Sequence, residues 1–154
     1  MAVWKSLTLF ILAGVWAAAQ PAGMSPEARR EILSYQLTIP RADHLISALP
    51  PMTRFFLSQP QHVLKTWSSL SPAQKIANLA NSPQAMDILK PYQLTAKDYV
   101  VGIPALRLAM WRAEGIAESP TVFASPANLA FIKANLAQLK PKWEAVDGPP
   151  HPAK

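Results

Sequence analysis

The sequence predicts an all-α domain, a compact bundle of about five to seven short, proline-punctuated helices around one central apolar helix. Three observations point to it. No stretch alternates apolar and polar residues with period two, and no Asn-Gly or Asp-Gly hairpin turn occurs. The pairs Ser25-Pro26, Ser71-Pro72, Ser82-Pro83 and Ser125-Pro126 each place a good N-cap before a proline at the first helical position, where the missing N–H costs nothing. Finally, LTAKDYVVGIPALRLAMWRAEGIAE, residues 94–118, carries Arg107 as its single charge between Tyr99 and Trp111, so its helix is apolar nearly all round and belongs at the centre.

Residues 1–19 read as a secretory leader: Lys5 in a short basic start, the apolar run LTLFILAGVWAAA, and Ala17-Ala18-Ala19 as a small-residue cleavage site. The run is shorter than the ~20 residues of a comfortable membrane span. Residues 20–147 are then one helical domain, and residues 148–154, GPPHPAK, an extended proline-rich tail.

The first helix runs from Pro26 through Tyr35 and turns Ala28, Ile32 and Tyr35 inward, with Glu27 supporting its positive end. Pro40 restarts the chain, with Thr38 as cap. The segment RADHLISAL then offers Ala42, Leu45, Ile46 and Leu49 until Pro50-Pro51 ends it, and MTRFFLSQ is a separate short piece stopped by Pro60. Gln61 to Leu70 turns Val63, Leu64 and Trp67 away from His62, Lys65 and Ser69. PAQKIANLA opens on a capping box, Ser71 with Gln74, and turns Ile76, Leu79 and Ala80 inward; PQAMDILK does so with Met86 and Leu89. In the central helix, Thr95 and Asp98 form a capping-box-like pattern, and Tyr99, Ile103, Leu106, Met110, Ala113 and Ala117 share one face. Gly102 and Pro104 predict a kink there, or two helices meeting near Gly102. The last helix, Pro126 to about Val146, carries a seam of Leu129, Ile132, Leu136, Leu139, Trp143 and Val146 that can lie along the central helix, with a kink from Pro141 near Ala137.

Function classes are narrowed mostly by exclusion. There is no cysteine, which removes disulfides, thiolate zinc sites, cysteine nucleophiles and covalently attached c-type haem. The formal charge is +6, but basic residues are scattered, so no stripe for a nucleic-acid backbone forms. No hydrolase, zincin, P-loop or dinucleotide motif is present, and none of the nine carboxylates forms an obvious inward pair. Glu114 and Glu118, four apart, read as a solvated face. No residue is assigned a catalytic, cofactor-binding or metal-binding role. A b-type haem in a bundle would use His44 or His62 with Met52, Met86 or Met110, against surface or capping roles for both histidines. Adjacent Phe55 and Phe56 diverge by ~100° on a helix and cannot both face one core stripe, so one is a candidate docking residue. Phe131, off the final seam, is a second candidate, and the tail with Pro149 and Pro150 a third.

The leader, the segment YQLTIPRADHLISALPPMTRFFL, the run LKPYQLTAKDY leading into a small-residue apolar helix, and the closing SPANLAFIKANLAQLKPKWEAVDG together resemble a group of small exported helical proteins of proteobacteria. Within it the chain is most similar to the smallest, roughly 15 kDa class, cofactor-free subunit of membrane-bound quinohaemoprotein alcohol dehydrogenases, over approximately residues 35–148. The resemblance rests on packing and capping motifs and implies an accessory, non-catalytic role on the periplasmic face of the cytoplasmic membrane. It implies as partners a large dehydrogenase subunit carrying pyrroloquinoline quinone and haem c, and a multihaem cytochrome c subunit feeding membrane ubiquinone. No catalytic residue carries over. The alternative is a free periplasmic binding or chaperone-like module for apolar ligands or peptides, which calls for a solvent-connected apolar cavity between the central and final helices.

Overall fold

Seven α-helices follow one another in a computed structural model that describes residues 24–147; the leader at 1–19 and the tail at 148–154, with Pro149 and Pro150, lie outside the described residues. They are α1 (Pro26–Ser34), α2 (Ile39–Leu57), α3 (Gln61–Ser69), α4 (Pro72–Ala80), α5 (Pro83–Leu89), α6 (Ile103–Ala113) and α7 (Pro126–Asp147). A 3-10 turn (Lys90–Tyr92) follows α5, and a π-helical turn (Asp98–Gly102) leads into α6. No strand occurs among the described residues.

The starts form as the Ser-Pro pairs require. Ser25, Ser82 and Ser125 accept from the backbone N–H groups of Ala28, Ala85 and Asn128 at 3.2, 3.2 and 3.1 Å. Ser71 and Gln74 close a reciprocal capping box at 3.3 and 2.9 Å. Each such cap satisfies a donor that the first turn leaves without a helical partner, a contribution of about 1 kcal/mol.

One helix boundary differs from the sequence expectation. Pro50 and Pro51 do not end a helix: α2 passes through both and unites RADHLISAL with MTRFFL. The prolines remove the donors that would meet the Ile46 and Ser47 carbonyls, at about 3 kcal/mol for each interior proline. Against this stand Leu45, Ile46, Leu49 and Met52, buried on both sides of the interruption and contributing roughly 2 kcal/mol each, so the packing wins. Helix α7 runs through Pro141 over the span its sequence predicts.

The central element divides where Gly102 and Pro104 predict. Pro104 has no N–H to offer the Val100 carbonyl, and the backbone widens into the π turn over Asp98–Gly102 before resuming as α6. Gly102 answers a second demand, since a Cβ there would lie 2.8 Å from the Tyr35 ring and hydroxyl and 3.0 Å from Leu45. Ala117, expected on the inner face, lies beyond the helix. Gly115, at φ 95°, ends α6 in a Schellman motif, with the Gly115 N–H on the Arg112 carbonyl and the Ile116 N–H on the Trp111 carbonyl at 3.2 and 3.0 Å.

The core runs along this central element. Tyr99, Ile103, Leu106 and Met110 are buried as their spacing requires, and α7 lies against α6 through Ile132, Leu139 and Trp143. On the other side α2 contributes Leu45, Leu49 and Met52, while α4 and α5 contribute Leu79, Ala85 and Leu89. Helix α3 stands apart. Trp67 is its one buried residue, Leu64 is half-buried, and Val63, expected inward, is exposed. Ala80 of α4 is exposed as well, because that helix ends as it reaches the surface.

Candidate functional site

Aromatic side chains link α2, α3 and the central element. The Phe56 ring lies 5.2 Å from Trp67, 6.3 Å from Tyr99 and 5.3 Å from Phe55. Phe56 is thus a packing residue that pins α3, and its half-buried state reflects its place at the edge of the core. Phe55 sits edge-on to Phe56 and is half-buried against the core. Leu57 and Val63, either side of the turn at Ser58 to Pro60, are each 39% exposed. Phe131 is half-buried against the core on α7, far along the chain from this corner. The exposed apolar surface between α2 and α3 comes from Leu57 and Val63.

The polar groups that converge do so between elements. Asp98 accepts from the Thr95 N–H and hydroxyl at 2.9 and 2.7 Å and returns its own N–H to the Thr95 hydroxyl at 3.0 Å, completing the expected capping box. Its other oxygen accepts from the Tyr35 hydroxyl at 2.9 Å, with the Arg41 guanidinium 3.9 Å away. Burial pushes the Asp98 carboxyl up, but the Thr95 and Tyr35 hydrogen bonds and the Arg41 charge outweigh it and hold the group below the ordinary aspartate range. Burial and then the Asp98 carboxylate push the Tyr35 hydroxyl well above the ordinary tyrosine range, as burial does for Tyr99.

Asn128 is 3% exposed and clamps the α1–α2 linker from α7. Its amide donates to the Tyr35 carbonyl at 2.7 Å, and its oxygen accepts from the Leu37 N–H at 3.0 Å. Sequence reasoning passed over it. The available signal was a polar residue four positions before Ile132, in register with the buried face of α7. Arg107, the one charge of the central helix, grips Asp147 through two nitrogens at 2.6 and 3.2 Å and lies 5.7 Å from the Trp143 ring. Arg29 stacks 4.0 Å over Phe123 and donates to the Pro120 carbonyl at 3.2 Å, fastening the loop before α7 to α1.

Glu114 departs from the solvated reading: its side chain is 6% exposed, whereas that of Glu118 is 64% exposed. Lys140 stands 3.1 Å from one Glu114 oxygen, close enough to ion-pair although its angle makes no hydrogen bond, and both oxygens otherwise lack partners. Glu114 and Glu144 raise the Lys140 ammonium above the ordinary lysine range, with the Glu114 contact the larger cause. His44 is half-buried on α2 and His62 exposed on α3; Met52 and Met110 are fully buried and Met86 is half-buried. Among the described residues no group of three or more His, Cys, Asp or Glu side chains is placed to hold a metal ion. A shallow open depression on α1 is lined by Pro26, Arg29, Arg30, Leu33 and Ser34. No family model, curated protein or solved structure matches the chain.

Proposed function

We propose that this chain is a non-catalytic accessory subunit that binds and stabilises a periplasmic, membrane-bound quinohaemoprotein alcohol dehydrogenase. One observation carries the reading: the polar side chains that converge make ties between helices, as with Asn128, Asp98 and Arg107, while the large apolar side chains of Phe55 and Phe131 are left half-buried at the edge of the core. That is the economy of a scaffold. The resemblance of the leader, the α2 segment and the α7 segment to the smallest subunit of those enzymes supplies the partner. On this reading the large subunit and the cytochrome c subunit carry pyrroloquinoline quinone and haem c, and this chain carries neither. It sits on the periplasmic face of the cytoplasmic membrane. Phe55 and Phe131, with the tail at Pro149 and Pro150, are the contacts to the partner.

The physical effect is mass action. A subunit that binds only the folded enzyme stabilises it by about 2.7 kcal/mol when present at a hundredfold its dissociation constant. The test is a strain that lacks this chain. Its membranes should show less quinone-linked ethanol oxidation and less haem c in the dehydrogenase fraction after mild heating, both restored by the wild-type chain and restored less well by Phe131→Asp. Unchanged activity, haem content and heat resistance would overturn the proposal.

A further inference from the structure

The end of α7 combines a strong side-chain tie with a chemically weak main-chain step. Asp147 is the last residue of α7, and Gly148 follows it in the sequence. This is the chain's single Asp-Gly step, and it closes a helix instead of turning a hairpin. Aspartate before glycine is the aspartyl sequence most open to attack on its own side chain, because the next amide nitrogen can reach Cγ and glycine has no Cβ to obstruct the approach. The other three aspartates precede the bulkier His44, Ile88 and Tyr99 and stand inside helical turns. Against this reactivity stands Arg107. Its Nη2 meets one Asp147 oxygen at 2.6 Å and its Nε the other at 3.2 Å, with the two side chains 14% and 19% exposed. A carboxylate in such a fork is kept ionised with both oxygens engaged, so neither is free to leave as water. The Trp143 ring, one turn back on α7, lies 5.7 Å from the same guanidinium and supports the clamp.

We propose that Asp147-Gly148 is an isoaspartate-forming site that Arg107 holds latent. In the modification the Gly148 amide nitrogen attacks Asp147 Cγ. A C–N bond forms, a C–O bond breaks, and the carboxyl oxygen leaves as water, taking the amide proton and one proton from solvent. Water then opens the five-membered imide. Opening at Cγ restores aspartate, and opening at the Asp147 main-chain carbonyl gives isoaspartate. No oxidant, reductant or cofactor enters, and the net change is an isomerisation. Its consequence is structural: the main chain now runs through Cβ and Cγ, one atom longer, and the free carboxylate sits directly on Cα, where it no longer reaches as the aspartyl side chain did. The tie between α6 and the end of α7 is lost, and the direction in which the chain leaves α7 changes. The proposal stands apart from the dehydrogenase reading, since it concerns the isolated chain. Asn81 provides a contrast within the same molecule. It precedes Ser82 at the exposed end of α4, but the Ser82 N–H that would attack its side chain is committed to the Leu79 carbonyl at 3.0 Å.

The test is a timed incubation of the purified full chain near neutral pH. The aspartyl, imide and isoaspartyl forms of the peptide spanning position 147 are separated by chromatography, the imide being lighter by one water. Folded wild type should keep the aspartyl form, while the same chain in guanidinium chloride accumulates imide and isoaspartate. Arg107→Gln, shown to be folded by circular dichroism, should convert roughly tenfold faster than folded wild type, since charge-assisted hydrogen bonds no longer have to be broken first. Asn81 should stay intact in that variant, which marks a local release. Arg107→Lys keeps the charge without the fork and should fall between the two. Where Arg107→Gln does not fold, the Lys variant carries the comparison. Gly148→Ala, which leaves the clamp in place, should suppress conversion even in the unfolded chain. No isoaspartate at 147 in the unfolded chain, equal rates in folded and unfolded wild type, or an Arg107 variant no faster than folded wild type would overturn the proposal. So would deamidation of Asn81 in step with conversion at 147, because the whole fold and not Arg107 would then be the guard.

Discussion

Asn128 holds two backbone groups, the Tyr35 carbonyl and the Leu37 N–H, through buried hydrogen bonds. Asn128→Ala should therefore cost about 3 kcal/mol, since each buried group left without a partner costs ~1 to 3 kcal/mol, and denaturant titration will show it as a lower midpoint at unchanged slope. At Gly102 the expected defect is overpacking. Gly102→Ala puts a methyl group against the Tyr35 hydroxyl and should destabilise by roughly 1 to 3 kcal/mol, with Tyr35→Phe in the same chain recovering little because the ring carbon is equally close. The Asp98 cluster sets an acid limb. Its folded carboxyl titrates below the unfolded value of ~3.9, so its stabilisation is present above that pH and is lost as pH falls through the folded value. Asp98→Asn should flatten this part of the acid-denaturation profile. Tyr35 and Tyr99 set the opposite limb: both are raised, so stability falls as pH climbs above the unfolded value of ~10.

At the scale of elements, helix starts were legible and the continuity of α2 was not. Ser71 with Gln74, or Thr95 with Asp98, is a local device whose partners lie three residues apart, so the sequence displays the whole interaction. Whether Pro50-Pro51 ends a helix depends instead on how much Leu45, Leu49 and Met52 bury against α5, α7 and the central element, and those partners are remote in sequence. The same distinction explains Glu114. Its spacing to Glu118 was visible, but the turn at Gly115 that separates the two, and the approach of Lys140 from α7, are tertiary facts. It also explains Phe56, whose engagement with Trp67 needs the α2–α3 turn to be known. Helix α3 supplies the element-scale prediction. Trp67→Ala removes its single buried anchor, and amide exchange over residues 61–69 should rise toward the unprotected rate while α6 and α7 stay protected.

Across the whole molecule, ties of long sequence separation hold α1, the loop before α7 and the end of α7 around the central element. Arg29 on Phe123, Asn128 on the α1–α2 linker and Arg107 on Asp147 each join segments dozens of residues apart. Asp147→Asn keeps the shape but removes the charge pairing and one of the two acceptors at a bidentate, largely buried contact, with side chains 14% and 19% exposed; the expected loss is about 1 to 2 kcal/mol after allowance for residual solvent. The seam on α7 was readable in advance because its period is local, and it lies along α6 as that period requires. Which apolar side chains stay exposed was not readable in the same way, because exposure is decided by which neighbours arrive. The most direct test of the accessory-subunit account is a mild-detergent purification from native membranes by a tag placed after Lys154, assayed for haem c absorbance and quinone-linked ethanol oxidation. The account predicts that both co-purify with the chain in fixed proportion. A bait that emerges alone, colourless and without oxidation activity would contradict it.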